Sequence, residues 1–382
     1  MSVWDDVVGQ EAAVATFREA VADPRAMTHA WLVTGPPGSG RSTAARAFAA
    51  ALQCPEQGCG HCHACITVLG GSHPDVTLVA TELLSIGIEE TRSLVSLAQR
   101  TPSQGRWRVI VVEDADRMAE RTSNVLLKAI EEPPGRTVWL LCAPSPHDVV
   151  VTIRSRSRGV ALRVPPPDAV AQLLVTRDGV APELAAVVAR AAQSHIGVAR
   201  RLARDPEARA RRDQVLAIPG EIRGVGDAVL AAGELVELAQ TDAKAATADR
   251  DAAERAELLR SLGAEGGGTL PPALRAQVSQ LEKDQKRRAT RAQRDVLDRA
   301  MVDLLSLYRD VLSVQLGTGV ELMNLEHAAQ ITDLAAASTP EQTLRRMDAI
   351  GVARTRLAGN VAPLLAVEAM ALALRPQARP LG

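Results

Sequence analysis

Four of the five cysteines, Cys54, Cys59, Cys62 and Cys65, crowd into one short stretch with the spacing C-x4-C-x2-C-x2-C. Gly58 and Gly60 lie between them and permit the tight backbone turns that a metal knuckle needs. Thiolates so spaced wrap tetrahedrally around Zn²⁺ at ~2.3 Å, and a closed four-ligand site is structural, not catalytic. Disulfides are disfavoured in an intracellular chain, and no redox partner chemistry for an iron–sulfur cluster is visible, so zinc is the expected occupant. His61 and His63 fall inside the knuckle, but four thiolates already saturate the ion, so both are expected to face solvent or support the ligands. The fifth cysteine, Cys142, lies in an apolar run and is expected to be buried and inert.

A second constellation precedes the knuckle. Gly35-Pro36-Pro37-Gly38-Ser39-Gly40-Arg41-Ser42-Thr43 follows the apolar run Ala-Trp-Leu-Val and opens an alanine-rich segment. This is the context of a phosphate-binding loop, in which Gly35, Gly38 and Gly40 let backbone N–H groups close around phosphates at a helix N-terminus, with Ser42 and Thr43 beside them. Arg41 stands where the motif calls for Lys. An ammonium is a compact charge that fits between phosphates, whereas a guanidinium is a larger planar fork that cannot occupy the same spot. Nucleotide binding is compatible with this loop, and fast hydrolysis is not expected.

The partner of such a loop is an apolar strand ending in acids that hold Mg²⁺ and position water. Val109-Ile110-Val111-Val112-Glu113-Asp114 fills that slot, with Glu first and Asp second, the reverse of the usual order. Exchanging the two lengths moves each carboxylate by ~1 Å, a misplacement that can cost ~10²-fold in rate. ATP with Mg²⁺ therefore stays open as a cofactor.

These residues need a scaffold, and the pattern supplies one. Short apolar runs at 30–33, 76–79, 109–112 and 138–142 read as buried strands. Helical stretches at 11–21, 42–52, 88–101 and 120–131 alternate with them, which predicts a parallel sheet with crossover helices. After Pro165-Pro166-Pro167 the strand signals stop, and the rest reads as Ala, Leu and Arg at helical spacing. The 382 residues are 46% apolar but only 2% aromatic, so cores are filled by Ala, Val and Leu and an aromatic-rich sandwich is excluded. The formal net charge of -1 will not by itself hold the chain on DNA or a membrane. No run approaches the ~18–20 apolar residues of a membrane span. The N-terminus lacks a basic, apolar leader, so a cytoplasmic protein with no membrane partner is expected.

Further strings add a resemblance. Val8-Gly9-Gln10, Thr28-His29-Ala30-Trp31, Leu126-Leu127-Lys128-Ala129-Ile130-Glu131-Glu132-Pro133-Pro134 and Ser155-Arg156-Ser157 resemble the bacterial clamp-loader branch of the AAA+ ATPases over the first ~200 residues. The segment Asn360-Val361-Ala362-Pro363-Leu364-Leu365 is similar to the last collar helix of that family. The resemblance implies a P-loop module carrying a zinc knuckle after the P-loop helix. It also implies a catalytic role in trans for Arg156, which matches the arginine of the family's Ser-Arg-Cys motif and points into a neighbouring subunit's ATP site. At the position of an expected sensing Thr the chain has Ala143 and Pro144, while Arg200, in Gly197-Val198-Ala199-Arg200, matches an arginine that can touch nucleotide. The implied protein is a stator more than a motor. Its implied partners are gamma/tau-type and delta-type loader subunits in a five-membered ring, the sliding clamp, and primed DNA reached through the assembled complex.

The expected architecture is α/β followed by all-α. An AAA+ module occupies 1–160 with the knuckle at 54–65, a helical lid 161–217, and a helical collar 218–382 with a charged hairpin inserted at about 234–295. The basic cluster Lys283, Lys286, Arg287, Arg288, Arg291 and Arg294 belongs to that hairpin and reads as a solvated charged face before a phosphate contact.

Overall fold

A computed structural model describes residues 2–81, 86–118, 120–261 and 272–376. The chain divides into two compact units, Met1–Arg204 and Asp205–Gly382.

The first unit is built on five parallel strands, β1 (Ala30–Thr34), β2 (Val76–Val79), β3 (Arg108–Val112), β4 (Thr137–Ala143) and β5 (Arg158–Ala161), in the order β2-β3-β4-β1-β5. The helices α1 (Glu11–Ala22), α2 (Arg41–Gln53), α3 (His63–Leu69), α4 (Ile88–Ala98), α5 (Glu120–Glu131) and α6 (Val151–Arg154) connect them. β1 lies between β4 and β5, with Leu32 opposite Leu141 on one side and Gly159 on the other. Every residue of β1, β3 and β4 is buried, which is why these strands read as unbroken apolar runs and not as alternating ones. Trp31 and Val33 feed the core on one face of the sheet, Ala30 and Leu32 the core on the other.

Alanines dominate the buried side of α2, at 44, 45, 47 and 49–51, and let its backbone approach the sheet closely. The scarce aromatics are concentrated here. Phe48 stacks on Phe17 at 4.5 Å and meets the edge of Trp31 at 5.1 Å. Beyond β5 the unit is completed by α7 (Pro167–Asp178), α8 (Pro182–Ala191) and α9 (Ile196–Arg204).

The second unit is entirely helical among its described residues: α10 (Pro206–Glu221), α11 (Val225–Ser261), α12 (Pro272–Gln315), α13 (Ala328–Ala337), α14 (Pro340–Ala358) and α15 (Pro363–Leu374), with one short 3-10 turn. Its core gathers Leu235, Val236, Leu297, Met301, Leu304, Tyr308, Ile350, Val367 and Met370. The helix Pro206–Glu221, placed with the lid by sequence, belongs to this unit. Its Val215 and Leu216 are buried there, and Arg212 is tied to Asp303 at 3.2 Å.

The charged segments expected at 234–260 and 273–295 lie on α11 and α12, but the first overlaps the core, where Leu235, Val236 and Ala239 are buried, so only the part beyond them is the solvated outer stretch. The glycine-rich tip between them lies outside the described residues. Arg288 bridges back to Asp251 at 3.2 Å and to Glu254, which it holds at a pKa of about 2. Part of the basic cluster is thus spent on pairing the hairpin with itself.

Candidate functional site

The glycine loop joins β1 to α2, and its geometry follows from the residue types. Gly35, Gly38 and Gly40 have φ of 157°, 88° and 86°, and Gly40 caps α2 from the left-handed region. A Cβ on Gly35 would lie 2.8 Å from the Leu162 carbonyl oxygen, and one on Gly38 would lie 2.7 Å from the His195 Cα. The loop is therefore pressed between the chain after β5 and the residue before α9. Ser42 and Thr43 stand in the first turn of α2, half-buried. The Ser39 hydroxyl is buried with no hydrogen-bond partner among the described residues, an arrangement that suits a ligand oxygen.

The charged residues around the loop are largely occupied. The Arg41 guanidinium turns back and donates to the carbonyl of Gly35, closing its own loop. Glu113 accepts from Nε of Arg46 on α2 at 2.7 Å. Asp114 lies 3.6 Å from Arg117. Burial raises the pKa of nearby Asp116, and Asp114 adds to that rise. Cys142, beneath these groups on β4, is pushed up to about 12 by burial and then by Glu113, so it remains a thiol, as its apolar setting predicts. The glycine frame fits a phosphate. The acids do not fit Mg²⁺ in the usual way, because the acid in the metal-facing slot already has a cation on it.

Arg200, expected to reach toward nucleotide, is held at 2.8 Å by Asp178 at the end of α7, which also binds Arg204 at 2.6 Å. Arg156 follows α6 and is about two-fifths exposed. It pairs with Glu131 at 2.7 Å and donates to the Thr152 carbonyl at 2.9 Å. Ala143 ends β4, and the carbonyl of the following Pro144 accepts from Gly35 N–H at 3.2 Å.

The four cysteines converge as their spacing requires. Cys54 caps the C-terminus of α2 and Cys62 the N-terminus of α3. Their ligand atoms all lie within 4.8 Å of one another, and Cys54 Sγ stands 3.7 Å from both Cys59 and Cys62 Sγ. None of the four is joined in a disulfide. Burial pushes the Cys54 thiol up, but N–H donors from Cys59, Gly58 and Glu56 outweigh it and bring the pKa to about 7. Burial raises Cys65. Such a cluster can hold a tetrahedral metal ion. His61 and His63 are exposed at its rim, as expected.

The knuckle also anchors the N-terminus. Val3 N–H donates to Gly58 O at 3.0 Å and Trp4 Nε1 to Gln57 O at 3.3 Å.

Residues 9–166 match the family model described as DNA polymerase III, delta subunit. The chain is 33% identical over 174 residues to DNA polymerase III subunit gamma/tau of Mycobacterium tuberculosis, covering 44% of this chain and 30% of that protein. It is 36% identical over 151 residues to DNA polymerase III subunit delta′ of Pseudomonas aeruginosa, covering 38% of this chain and 45% of that one. Over residues 9–166 the chain is thus similar to subunits of DNA polymerase III. The matched stretch spans less than half of either relative's own length.

Several residues act at the loop through partners that the local sequence does not reveal. Gln10 is buried and bonds Ser39 O at 3.2 Å and both the carbonyl and the N–H of Arg163, which makes the Val8-Gly9-Gln10 string a clamp on the loop. Arg46 and Asp178 decide what Glu113 and Arg200 can do. Each pairing joins residues 67 and 22 positions apart, beyond the reach of local pattern.

Proposed function

We propose that the chain is a delta-prime-type subunit of the DNA polymerase III clamp loader. It is a stator that helps open the sliding clamp and place it on primed DNA, with little or no ATP hydrolysis of its own. The observation that carries this reading is the disposition of the arginines. Arg41 turns back onto the Gly35 carbonyl, and Arg46 and Arg200 pair with shielded acids, Glu113 and Asp178 at 13% and 7% side-chain exposure, whereas the acid paired with Arg156, Glu131, is itself 43% exposed. A guanidinium presented this way is a preformed fork for phosphoryl charge developing on a neighbouring subunit. In related systems such a finger is worth ~10³–10⁵ in rate.

The four cysteines hold a structural Zn²⁺. Bonds of ~2.3 Å in a tetrahedron place sulfurs about 3.8 Å apart, and 3.7 Å is the spacing at Cys54. The partners are other loader subunits, the clamp and primed DNA, and the compartment is the cytoplasm. Among the described residues no helix is long and apolar enough to cross a membrane.

The test is the DNA-stimulated ATPase rate of the reconstituted loader. Arg156→Ala lowers it at least tenfold and Arg156→Lys does not restore it, because an ammonium lacks the planar fork. An unchanged rate overturns the assignment. The intact glycine frame and the gamma/tau relative favour a second reading, a subunit that hydrolyses ATP itself. Phosphate release by the purified chain decides between them.

A further inference from the structure

We infer that Arg46 is a built-in counter-ion that takes the place of the divalent cation at Glu113, so that a nucleotide held by this loop is held through its phosphates without Mg²⁺. The inference rests on the reading of the loop as a non-hydrolysing site and names the residue that makes it one.

Three observations carry it. First, Glu113 occupies the first acidic position after β3, where a carboxylate would face the metal, and it accepts from Nε of Arg46 at 2.7 Å with its side chain only 13% exposed. Arg46 projects from the second turn of α2, and because side chains on a helix lean toward its N-terminus, the guanidinium is carried back toward the mouth of the loop. Second, the pairing uses only one edge of the guanidinium. Its two terminal amines have no protein partner among the described residues, and the side chain is 38% exposed. Arg46 is thus placed as a metal would be, with an acid on one side and an open coordination face on the other. Third, the buried Ser39 hydroxyl on the loop itself has no partner among the described residues, an unmet hydrogen-bonding group at the loop independent of the arginine.

Charge balance points the same way. Around the strand end stand Glu113, Asp114 and Asp116, with Arg41, Arg46 and Arg117 among them. A divalent cation added here would have to displace Arg46 from its acid, and the displaced guanidinium would then repel it. A nucleotide polyphosphate without metal meets the free face of Arg46 and the N–H groups of the loop instead.

The test uses the full chain and a fluorescent N-methylanthraniloyl-ADP probe, titrated with millimolar Mg²⁺ and with EDTA in its place. For the wild type the two affinities agree within about twofold; no binding in either condition overturns the inference. In Arg46→Met, which keeps the aliphatic stem, binding becomes at least tenfold tighter with Mg²⁺ than with EDTA. Adding Glu113→Gln to that variant removes the gain. The inference is overturned if the wild type already binds at least tenfold tighter with Mg²⁺, or if Arg46→Met shows no metal dependence. Because ADP is the probe, this outcome is separate from phosphate release: a chain that turns over ATP sinks the stator reading whatever the metal dependence of ADP binding.

Discussion

Asp75 offers the most direct measure of what holds the first unit together. It lies just before β2, fully buried, with Arg108 of β3 at 2.9 Å and that arginine's side chain only 7% exposed. Its oxygens also accept from the N–H groups of Ser103, Gln104 and Gly105 at 2.6–2.8 Å. Burial alone would raise the carboxyl; these donors outweigh it and bring the pKa from 3.8 to about 2. A depression of about two units at 1.36 kcal/mol each stores about 2.5 kcal/mol in the ionised form. That stabilisation is present above the unfolded value near 4 and is lost as pH falls toward 2. Replacing Asp75 by Ala also strands Arg108 as an uncompensated buried charge, which costs ~3–5 kcal/mol. The assay is urea unfolding followed by tryptophan emission, because Trp4, Trp31, Trp107 and Trp139 all lie in the first unit and report on it alone. At pH 7 Asp75→Ala should lose at least about 3 kcal/mol, and Asp75→Asn somewhat less. Between pH 5 and 2.5 the wild type should lose about 1.5 kcal/mol more than either variant. A loss under about 1 kcal/mol at pH 7, or parallel pH profiles for wild type and variant, would refute this account of the pair.

Two further perturbations separate causes within the site. Gly38→Ala and Gly40→Ala both place an L residue at φ near +87°, a strain of ~1–2 kcal/mol, but the new methyl meets the His195 Cα at 2.7 Å only in the first, and nothing within 4 Å in the second. Gly38→Ala should therefore be the more destabilising by urea unfolding, and equal losses would show that the seat of His195 on the loop does not matter. At the knuckle, metal analysis of the purified chain should give one zinc per molecule. Stripping that zinc with a chelator and a thiol reagent, or substituting Cys62→Ser, should change tryptophan emission through Trp4, which is bonded to Gln57 in the knuckle. A metal-free chain of undiminished stability contradicts the zinc assignment.

The strands at 30–33, 109–112 and 138–142 were legible because a parallel sheet covered on both faces leaves every one of these positions apolar, and 76–79, an edge strand with Thr77 and Leu78 half-buried, still kept a short apolar run. β5 was not, since an edge strand reading Arg-Gly-Val-Ala buries only Val160 and carries no run to detect. The helix α3 was hidden because its bounds are set by the knuckle: Cys62 caps it, so a metal-ligand pattern and a helix start coincide. The charged hairpin was legible as helix but not in extent. α11 and α12 run unbroken from the solvated outer segment into the core, and the switch from charged to apolar residues marks where burial begins, not where a helix ends. The loop and the acids were found by motif, but their partners were not, because which charge meets which is decided by how α2 crosses the sheet.

That last point bears on how an intact glycine motif should be weighed against altered acids. A hydrolysing site needs a carboxylate free to take a metal and a cation free to meet the phosphates, and here Glu113 and Arg41 are both engaged. The glycines have a second reason to be there. Gly35 leaves room for Leu162 and Ser39, and Gly38 for the His195 backbone, so a side chain at either position would push the loop away from the chain after β5 or from the residue before α9, whether or not a nucleotide ever binds. Gly40 is the exception, since a Cβ there would meet nothing and only its φ of 86° favours glycine. The glycine frame is thus explained by packing and discriminates poorly between a motor and a stator. The pairing of the charges bears on that question more directly, because it engages the acid and the cation that a hydrolysing site would need free.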